Sequence, residues 1–592
     1  MANSFGTLFI GKSGLVSAQN ALNTTANNLA NVNTDGYVRQ QVRFADTNYT
    51  NIKQPTVYTN IAQTGLGVSI GDVVHARDVF LDKSYRLEAG RCDFYTELYN
   101  VTTYIEDLMQ ELDGEEFKES ISDLWDSFQE LAKAPGDSTN QNLVIQKAQL
   151  LVNRTSALYS DLKSYQSNIN TQISDEIDRV NEIGNRIYEI NLEVQKVEAG
   201  GVETAMTLRD ERDSLLDELA TYVSIDITED QTGFTYVEIE GTPFIDDNRC
   251  YNIELLKDNK TGFYTPYWPQ LSNVDQKEYV NVFRTDVDID AEYNNDVGSI
   301  KSLLLSRGDG YGHYYDLQDE ESYEGISKSI LMETEAQVEL LYNSIITTMN
   351  DLFCPNVSFA DTTGIDVFTY FGATTQVDDY GVSYVEVTAD DGTTLKLTAD
   401  TQILDVDNAT VGSDGELPPE ELFTRSGVER YTQLTVGGQT YYVYNAPDRT
   451  QGESLYNITN VVVNEDLTKQ VTLLPCWKQD GAVSYDLGTK ISEAWENQCM
   501  TLNPGDTSPC TFERFYDRII DNLGILGNTY KAAEDTMEDT VSSIDNSRSQ
   551  VTGVSSDEEL TKLIKFQAAY NASSRFMTVV SEMTELIVTG LI

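Results

Sequence analysis

Apolar side chains recur at helical spacing at both ends of the chain. Between Asn3 and Asn33, apolar or small residues stand at Leu8, Leu15, Ala18, Leu22, Leu29 and Val32. The leucines keep a seven-residue interval, with Gly11 and Thr25 filling intermediate positions. Between Glu558 and Leu591 the series is Leu563, Phe566, Tyr570, Ser573, Met577, Val580, Thr584, Ile587 and Leu591, with gaps of three and four. Stripes this narrow belong to a coiled-coil seam. One at each terminus predicts that the ends pair and that the middle is a large insertion. A helix docked on a domain core has similar periodicity, but its outer face is normally charged. Here the N-terminal stretch is rich in Asn, Thr, Ser and Gln, and Lys12 is its only charge before Asp35. Such a face suits amides and hydroxyls bonded to neighbouring helices in a packed assembly.

The middle alternates between two periods. Asp78 to Val197 reads as helical almost throughout, broken at Ala134-Pro135-Gly136-Asp137. From about Gln141 one stripe runs through Leu151, Leu158, Tyr165, Ile173, Val180, Ile187 and Val194 to Val197, which predicts a rod. Gly200-Gly201 ends it. Thr207 to Leu219 is an acidic–arginine helix, in which pairs such as Arg209 with Asp213 stand at helical spacing. Exposed pairs of that kind are worth ~0.3–0.5 kcal/mol each. At Tyr222 the period drops to two. Val223 to Ile227 and Tyr236 to Gly241 predict short strands, continuing to about Val287. Val297 to Arg307 closes that region and feeds a helix from about Tyr323 to Leu352. A second strand-rich stretch follows from Cys354 to about Cys510, and Phe512 to Val551 is helical again.

The predicted fold class is α+β multidomain, with a terminal α-helical coiled-coil layer and a long helical rod carrying two β-rich insertions. The expected domains are 1–36 with 554–592 (terminal helical), 37–222 with 310–353 and 511–553 (rod), 223–309 (β-rich) and 354–510 (β-rich outer insertion).

Composition narrows the function. The chain has 592 residues, 96 acidic against 40 basic, and a net charge of −56. That charge opposes binding to nucleic acid or an anionic membrane. No stretch approaches the ~20 apolar residues of a membrane span, and no basic region followed by an apolar run marks a cleavable signal. Six separated cysteines and two histidines, His75 and His313, hold no zinc spacing. Spacing leaves open a disulfide among Cys476, Cys499 and Cys510. Asp286, Asp288 and Asp290 alternate as on the wet face of a strand. Asp405, Asp407 and Glu416 match the outer positions of a calcium loop but lack its central glycine. Gly65 to Gly71 is one residue too long for a dinucleotide fingerprint. With no nucleophile elbow, zinc-protease motif or phosphate loop, the reading is a non-enzyme with no cofactor and no metal.

Asn27-Asn28-Leu29-Ala30-Asn31-Val32-Asn33-Thr34-Asp35-Gly36-Tyr37 resembles the N-terminal signature of the bacterial flagellar axial proteins: the rod, hook and hook-associated proteins. Asp35 stands where the family usually has proline, and Asp-Gly still makes a turn and a helix stop. Val38-Arg39-Gln40 resembles the hook–filament junction subgroup. Leu563 to Ala572 resembles the family's C-terminal signature, and the Thr207–Leu219 helix is the most specific internal match to that subgroup.

The resemblance implies a structural subunit at the junction of hook and filament. It implies export through the flagellar channel with an uncleaved N-terminus, an extracellular location and a terminal layer that lines a tube. The implied partners are the hook protein, the second hook-associated protein, an export chaperone on the C-terminal helix, and further copies in a ring. The seam expected to carry assembly is Leu8, Leu15, Leu22 and Leu29 with Leu563, Phe566, Tyr570, Met577, Val580 and Ile587. Asn27, Asn28 and Asn31 would set its register. The alternatives are another axial subunit of hook or rod and, outside the family, a calcium-binding surface adhesin.

Overall fold

The structure, a computed structural model, describes residues 2–34, 36–47, 50–52, 62–65, 67–110, 116–199, 204–372, 374–377 and 382–589. Asp35, Leu66, Gly200-Gly201 and Leu591 lie outside them. The N-terminal stripe is one helix, α1 (Ala2–Ala30). Strands β1 (Gln40–Asp46), β2 (Thr50–Ile52), β3 (Ala62–Thr64) and β4 (Val68–His75) follow. β1 and β4 pair antiparallel from Gln40↔His75 to Asp46↔Val68, with a bulge at Arg43/Phe44.

The helical middle is α2 (Val79–Gln110), α3 (Glu116–Lys133), α4 (Ser138–Glu198) and α5 (Met206–Tyr222). α4 is 61 residues long and starts where Asp137 accepts the Thr139 N–H at 2.8 Å. That cap lies in the Pro-Gly break that the sequence marked. Its stripe from Leu151 through Ile173 to Val194 is buried, and Val197 emerges into solvent.

Polar residues on α4 do what periodicity does not reveal: they hold backbone of other elements. Asn191 accepts the Thr235 N–H at 3.2 Å and donates to the Thr235 carbonyl at 2.8 Å. Asn181 does the same with Ile253, at 2.8 and 2.9 Å. Gln166 donates to the carbonyls of Arg307 and Gly310. The long helix is therefore a spine that satisfies backbone groups at the start of β6 and at Ile253, Arg307 and Gly310. Gly184 lets the Phe244 ring lie against this spine, where an added Cβ would stand 2.3 Å from Cζ.

The first β region is a sheet β5 (Ile225–Glu229), β6 (Thr235–Ile239), β7 (Thr242–Ile245) and a hairpin β8 (Glu254–Lys257), β9 (Tyr264–Tyr267). Asp286, Asp288 and Asp290 are not on a strand. Asp290 caps a short 3-10 turn at Ala291–Tyr293, and Lys328 pairs with Asp288 at 3.3 Å. Among the described residues no group of three or more His, Cys, Asp or Glu could hold a metal ion.

α6 (Ser299–Arg307) packs against α2 and α4. The helix expected from Tyr323 to Leu352 is two: α7 (Glu320–Ile326) and α8 (Ile330–Phe353). Ser329 separates them by leaving helical geometry and capping the Met332 N–H at 3.2 Å.

The second β region carries β10 (Asn356–Ser358), α9 (Phe359–Thr363), α10 (Val367–Phe371), β11 (Gln376–Val377), β12 (Ser383–Thr388), β13 (Thr394–Thr398), β14 (Gln402–Leu404), β15 (Phe423–Arg425), β16 (Tyr431–Val436), β17 (Gln439–Tyr444), β18 (Val461–Val463), α11 (Glu465–Lys469) and α12 (Asp486–Trp495). It has a core of its own around Phe359, Val385, Leu397, Leu434 and Val443. All six cysteines are free thiols, with Cys354, Cys476 and Cys510 buried and Cys499 exposed.

α13 (Phe512–Thr552) returns antiparallel along α2, and α14 (Ser556–Thr589) returns to α1. Tyr516 donates to the Met109 carbonyl at one end of the α2–α13 pair, and Arg548 meets Asp82 at the other, Nε to Oδ1 2.7 Å.

Three half-buried carboxylates, Asp93 and Glu97 on α2 and Glu176 on α4, gather near one another. Burial, then the charges of Glu176 and Asp93, push Glu97 up to about 7. A raised acid binds its proton more tightly when folded. The contribution of this cluster to stability is therefore greatest in mild acid, falls as pH rises to about 7, and stays low above that. Glu97→Gln is expected to stabilise the chain by about 1–2 kcal/mol above pH 7.5 and by nothing measurable near pH 4.5. Melting temperatures of both proteins across that range check the sign.

Candidate assembly interface

α1 and α14 lie antiparallel, with Gly11 opposite Met577, Gly14 opposite Ser573, and Asn28 opposite Glu559. Space for a side chain is absent at the first two contacts. A Cβ on Gly11 would stand 2.6 Å from Met577 Sδ, and one on Gly14 2.9 Å from Ser573 Oγ.

The most buried face of α1 is accordingly small or polar: Gly11, Ser17, Ala18, Ala21, Thr25 and Asn28. Leu8, Leu15, Leu22, Leu29 and Asn31 are half-buried beside that face, and Asn27 is exposed. On α14 the least exposed residues are Glu559, Leu563, Phe566, Tyr570, Ser573, Met577, Val580 and Thr584. The side chain of Ile587 is outside the described ones. A heptad of leucines flanks the contact because backbone proximity, set by the glycines and Ala21, fills the centre.

Gly67, with φ +105°, brings the start of β4 against α1. There Ser13 Oγ accepts the Val68 N–H at 3.3 Å and Ser17 donates to the Val68 carbonyl at 3.3 Å. The glycine-rich stretch from Gly65 to Gly71 thus serves a close approach of strand to helix.

A second apolar series on α14 is uncovered. Leu560, Ile564, Phe576, Val579, Met583, Leu586 and Val588 are all exposed, Leu586 at 73% and Ile564 at 66%. Phe9 and Val16 are exposed on α1. The sequence carries the signal in the gaps of three and four at 576, 579, 583 and 586, but the neighbouring stripe overshadows it.

The terminal pair is fastened to the rod by polar groups. Asn28, fully buried, makes four hydrogen bonds. It donates to the Gln40 carbonyl (2.9 Å) and to Glu559 Oε2 (3.1 Å), and accepts from the Gln40 N–H (3.0 Å) and the Tyr37 hydroxyl (2.8 Å). Asn27 donates to Tyr37 at 3.3 Å, and Asn31 donates back to Asn27. Arg39 grips the turn between α13 and α14, its N–H on the Thr552 carbonyl and its guanidinium 3.2 Å from Glu558. The Val38 N–H reaches the Asp210 carboxylate on α5, which lies 3.4 Å from His75 Nε2. Burial pushes Asp210 up to about 7, and burial with the Arg77 charge brings His75 down to about 4.

Beyond them runs a network of arginines and aspartates. Arg77 pairs with Asp213. Arg86 pairs with Asp213 (3.5 Å) and Asp217 (2.7 Å). Arg548 pairs with Asp82 (2.7 Å) and Asp217. The network joins α2, α5 and α13. The i,i+4 pair expected between Arg209 and Asp213 does not form. Arg209 bonds Glu198 (2.9 Å) and Glu229 (2.7 Å), leaving Asp213 to Arg77 and Arg86. The helix is flanked by other elements, and partners across the gap give shorter, better-buried contacts than a neighbour one turn away.

Two paired terminal helices, a helical rod braced by ion pairs between α2, α5 and α13, and β regions carried on the rod have the layered order expected of a flagellar axial subunit. The comparisons agree with that class. The family model described as flagella basal body rod protein matches residues 8–37, and that of the flagellar basal body rod FlgEFG protein C-terminal matches 547–589. The flagellar hook-associated protein FlgK helical domain matches 102–368.

Over its full length the chain is 24% identical to flagellar hook-associated protein 1 of Bacillus subtilis, of which 99% is covered. It is 22% identical to the protein of that name from Salmonella typhimurium, with 95% of this chain and 96% of the relative covered. Among solved structures, the flagellar hook junction protein FlgK from Burkholderia pseudomallei is similar at 10% identity and a TM-score of 0.47. That match covers 79% of this chain and 99% of that one. Throughout its length the chain is similar to flagellar hook-associated protein 1.

Proposed function

We propose that the chain acts as the junction subunit between hook and filament and assembles through α1 and α14. The observation that carries this reading is the uncovered stripe on α14 beside an already paired α1. Each apolar side chain taken from water contributes ~1.5–3 kcal/mol. The free subunit leaves seven such residues of α14 exposed, and a ring of copies covers them.

Leu8, Leu15, Leu22 and Leu29, flanking the intramolecular contact, would meet neighbouring copies, with Leu563, Phe566, Tyr570, Met577, Val580 and Ile587 at the seam. The hook protein would lie below and the second hook-associated protein above. An exposed stripe of this size is an aggregation hazard before assembly, which supports an export chaperone seated on α14. Export proceeds without removal of the N-terminus, because α1 itself is needed in the assembled layer.

Leu22→Asp places a charge beside the seam. It is expected to leave the β regions folded by circular dichroism and to abolish incorporation into flagella. Normal filaments built with that variant would contradict the reading.

A further inference from the structure

The two outward edges of the α1–α14 pair carry matching patterns. On α1, Phe9, Lys12 and Val16 are exposed, and on α14, Val579, Glu582 and Leu586 are exposed. Each set has an apolar residue, a charge three residues on and an apolar residue four further, so each lies along one helix face. The two charges are opposite. Lys12 is the only charged residue of α1. Among the described residues the ion pairs of α14 are those of Glu558, Glu559 and Lys562 near its start, and neither Lys12 nor Glu582 is in one.

One chain cannot bring these edges together. Two residues turn a side chain about 200° around a helix. Phe9 stands two residues from Gly11 and Val16 two from Ala18, both buried against α14. Val579 stands two from Met577 and Leu586 two from Thr584, both on the inner face of α14. The edges therefore point away from the contact inside the pair, in opposite directions. A surface on one side with its complement on the other makes a heterologous contact, which repeats from copy to copy.

We infer that α14 of one copy receives α1 of the next, antiparallel, with Phe9 against Leu586, Val16 against Val579 and Lys12 against Glu582. This rests on the assembly reading above and names what covers the α14 stripe and in which register. Phe576 and Met583 flank the line and widen its apolar floor. Charge favours this occupant. Copies with a net charge of −56 repel, and the outward edge of α1 meets its neighbour with one cation and no acid. The other charge on this face of α14 is Arg575, one heptad before Glu582. The pairing sets it opposite the uncharged Gln19 and Asn20, away from Lys12. Inside the chain Gly11 faces Met577, so the neighbour is slid along the helix axes by roughly 9 Å.

The test places the photoreactive residue p-benzoylphenylalanine at Phe9 in cells that build flagella, followed by irradiation and gold labelling of the same preparation. The expected result is a covalent dimer of this chain, with the link in the stretch that follows Arg575. Adding Glu582→Lys should cut the dimer yield roughly tenfold. Adding Glu585→Lys, exposed but off the line, should leave the yield unchanged. If the probe at position 9 impairs incorporation, the probe at Leu586 should instead link to the peptide that ends at Lys12.

Label at the junction with no dimer, with a link elsewhere in the chain or to another protein, or with equal loss from the two lysine variants overturns this contact and leaves the junction reading standing. Absence of the unmodified chain from the junction overturns both.

Discussion

Asp217→Ala is expected to destabilise the chain by about 1.5–3 kcal/mol, the cost of removing a charged acceptor that two partly buried arginines share. Arg86 Nε meets Asp217 Oδ1 at 2.7 Å, and Arg548 takes the other oxygen. One carboxylate thus joins three helices, α2, α5 and α13. Removing it takes one of two carboxylate partners from each of two guanidinium groups, each less than one-fifth exposed, and leaves Arg86 with Asp213 at 3.5 Å and Arg548 with Asp82 at 2.7 Å. Arg548 leads into the turn before α14, so the loss falls first on the docking of the terminal pair. A lower denaturant midpoint and protease cleavage near Gly553 are the expected readouts. Asp226→Ala is the control. Asp226 is 69% exposed and only 3.6 Å from an equally exposed Lys83, and its loss should cost under ~0.5 kcal/mol. Equal effects at the two positions would contradict the network's role.

Asn28→Leu preserves volume and removes all four hydrogen bonds of that side chain. Gln40 then has an unpaired N–H and carbonyl, and Glu559 is left with Lys562 alone, at 2.7 Å. Unsatisfied buried groups cost ~1–3 kcal/mol each, partly recovered by relaxation, so a net loss of about 2–4 kcal/mol in docking is expected. Hydrogen exchange at residues 36–40 and at the start of α14 should quicken by roughly 30- to 700-fold, while α4 and α8 stay protected. Unchanged exchange near Gln40 would remove Asn28 from the fastening. Tyr37 shares that fate. Its hydroxyl is pushed up to about 12 by burial, then by the charges of Asp210 and Glu559, and its bond to Asn28 is the one that disappears.

What was legible in the sequence follows from what periodicity measures. A buried stripe of large side chains announces itself, and most of the stripe of α4 and, from Leu563 to Thr584, the inner face of α14 were readable from the sequence. The buried face of α1 was legible only in part: Gly11, Ala18 and Thr25 stood in the stripe, but Ser17 and Ala21 pack by being small, and a scan for apolar bulk finds the leucines beside them. The Asn27–Gln40 stretch and the Thr207–Leu219 helix stood out separately as signatures. That Asp210 receives the Val38 N–H, and so brings them into one joint, depends on chain reversal over more than 170 residues, which spacing does not encode. For the same reason Arg209 and Asp213 looked like partners and are not. Ser329 ended a helix expected to be continuous because a serine inside a long apolar pattern reads as a polar face until its cap is seen. Asn181 and Asn191 carry no signal of their own in the sequence, yet they hold the backbone of Ile253 and Thr235 to the spine.

The central claim is that the terminal helices place this chain at one level of the flagellum. Gold-labelled antibody against residues 354–510 on intact flagella tests it most directly. The account predicts a single narrow band where hook meets filament, with label outside the shaft. Label along the whole hook or filament, or only on the cell surface, would contradict it.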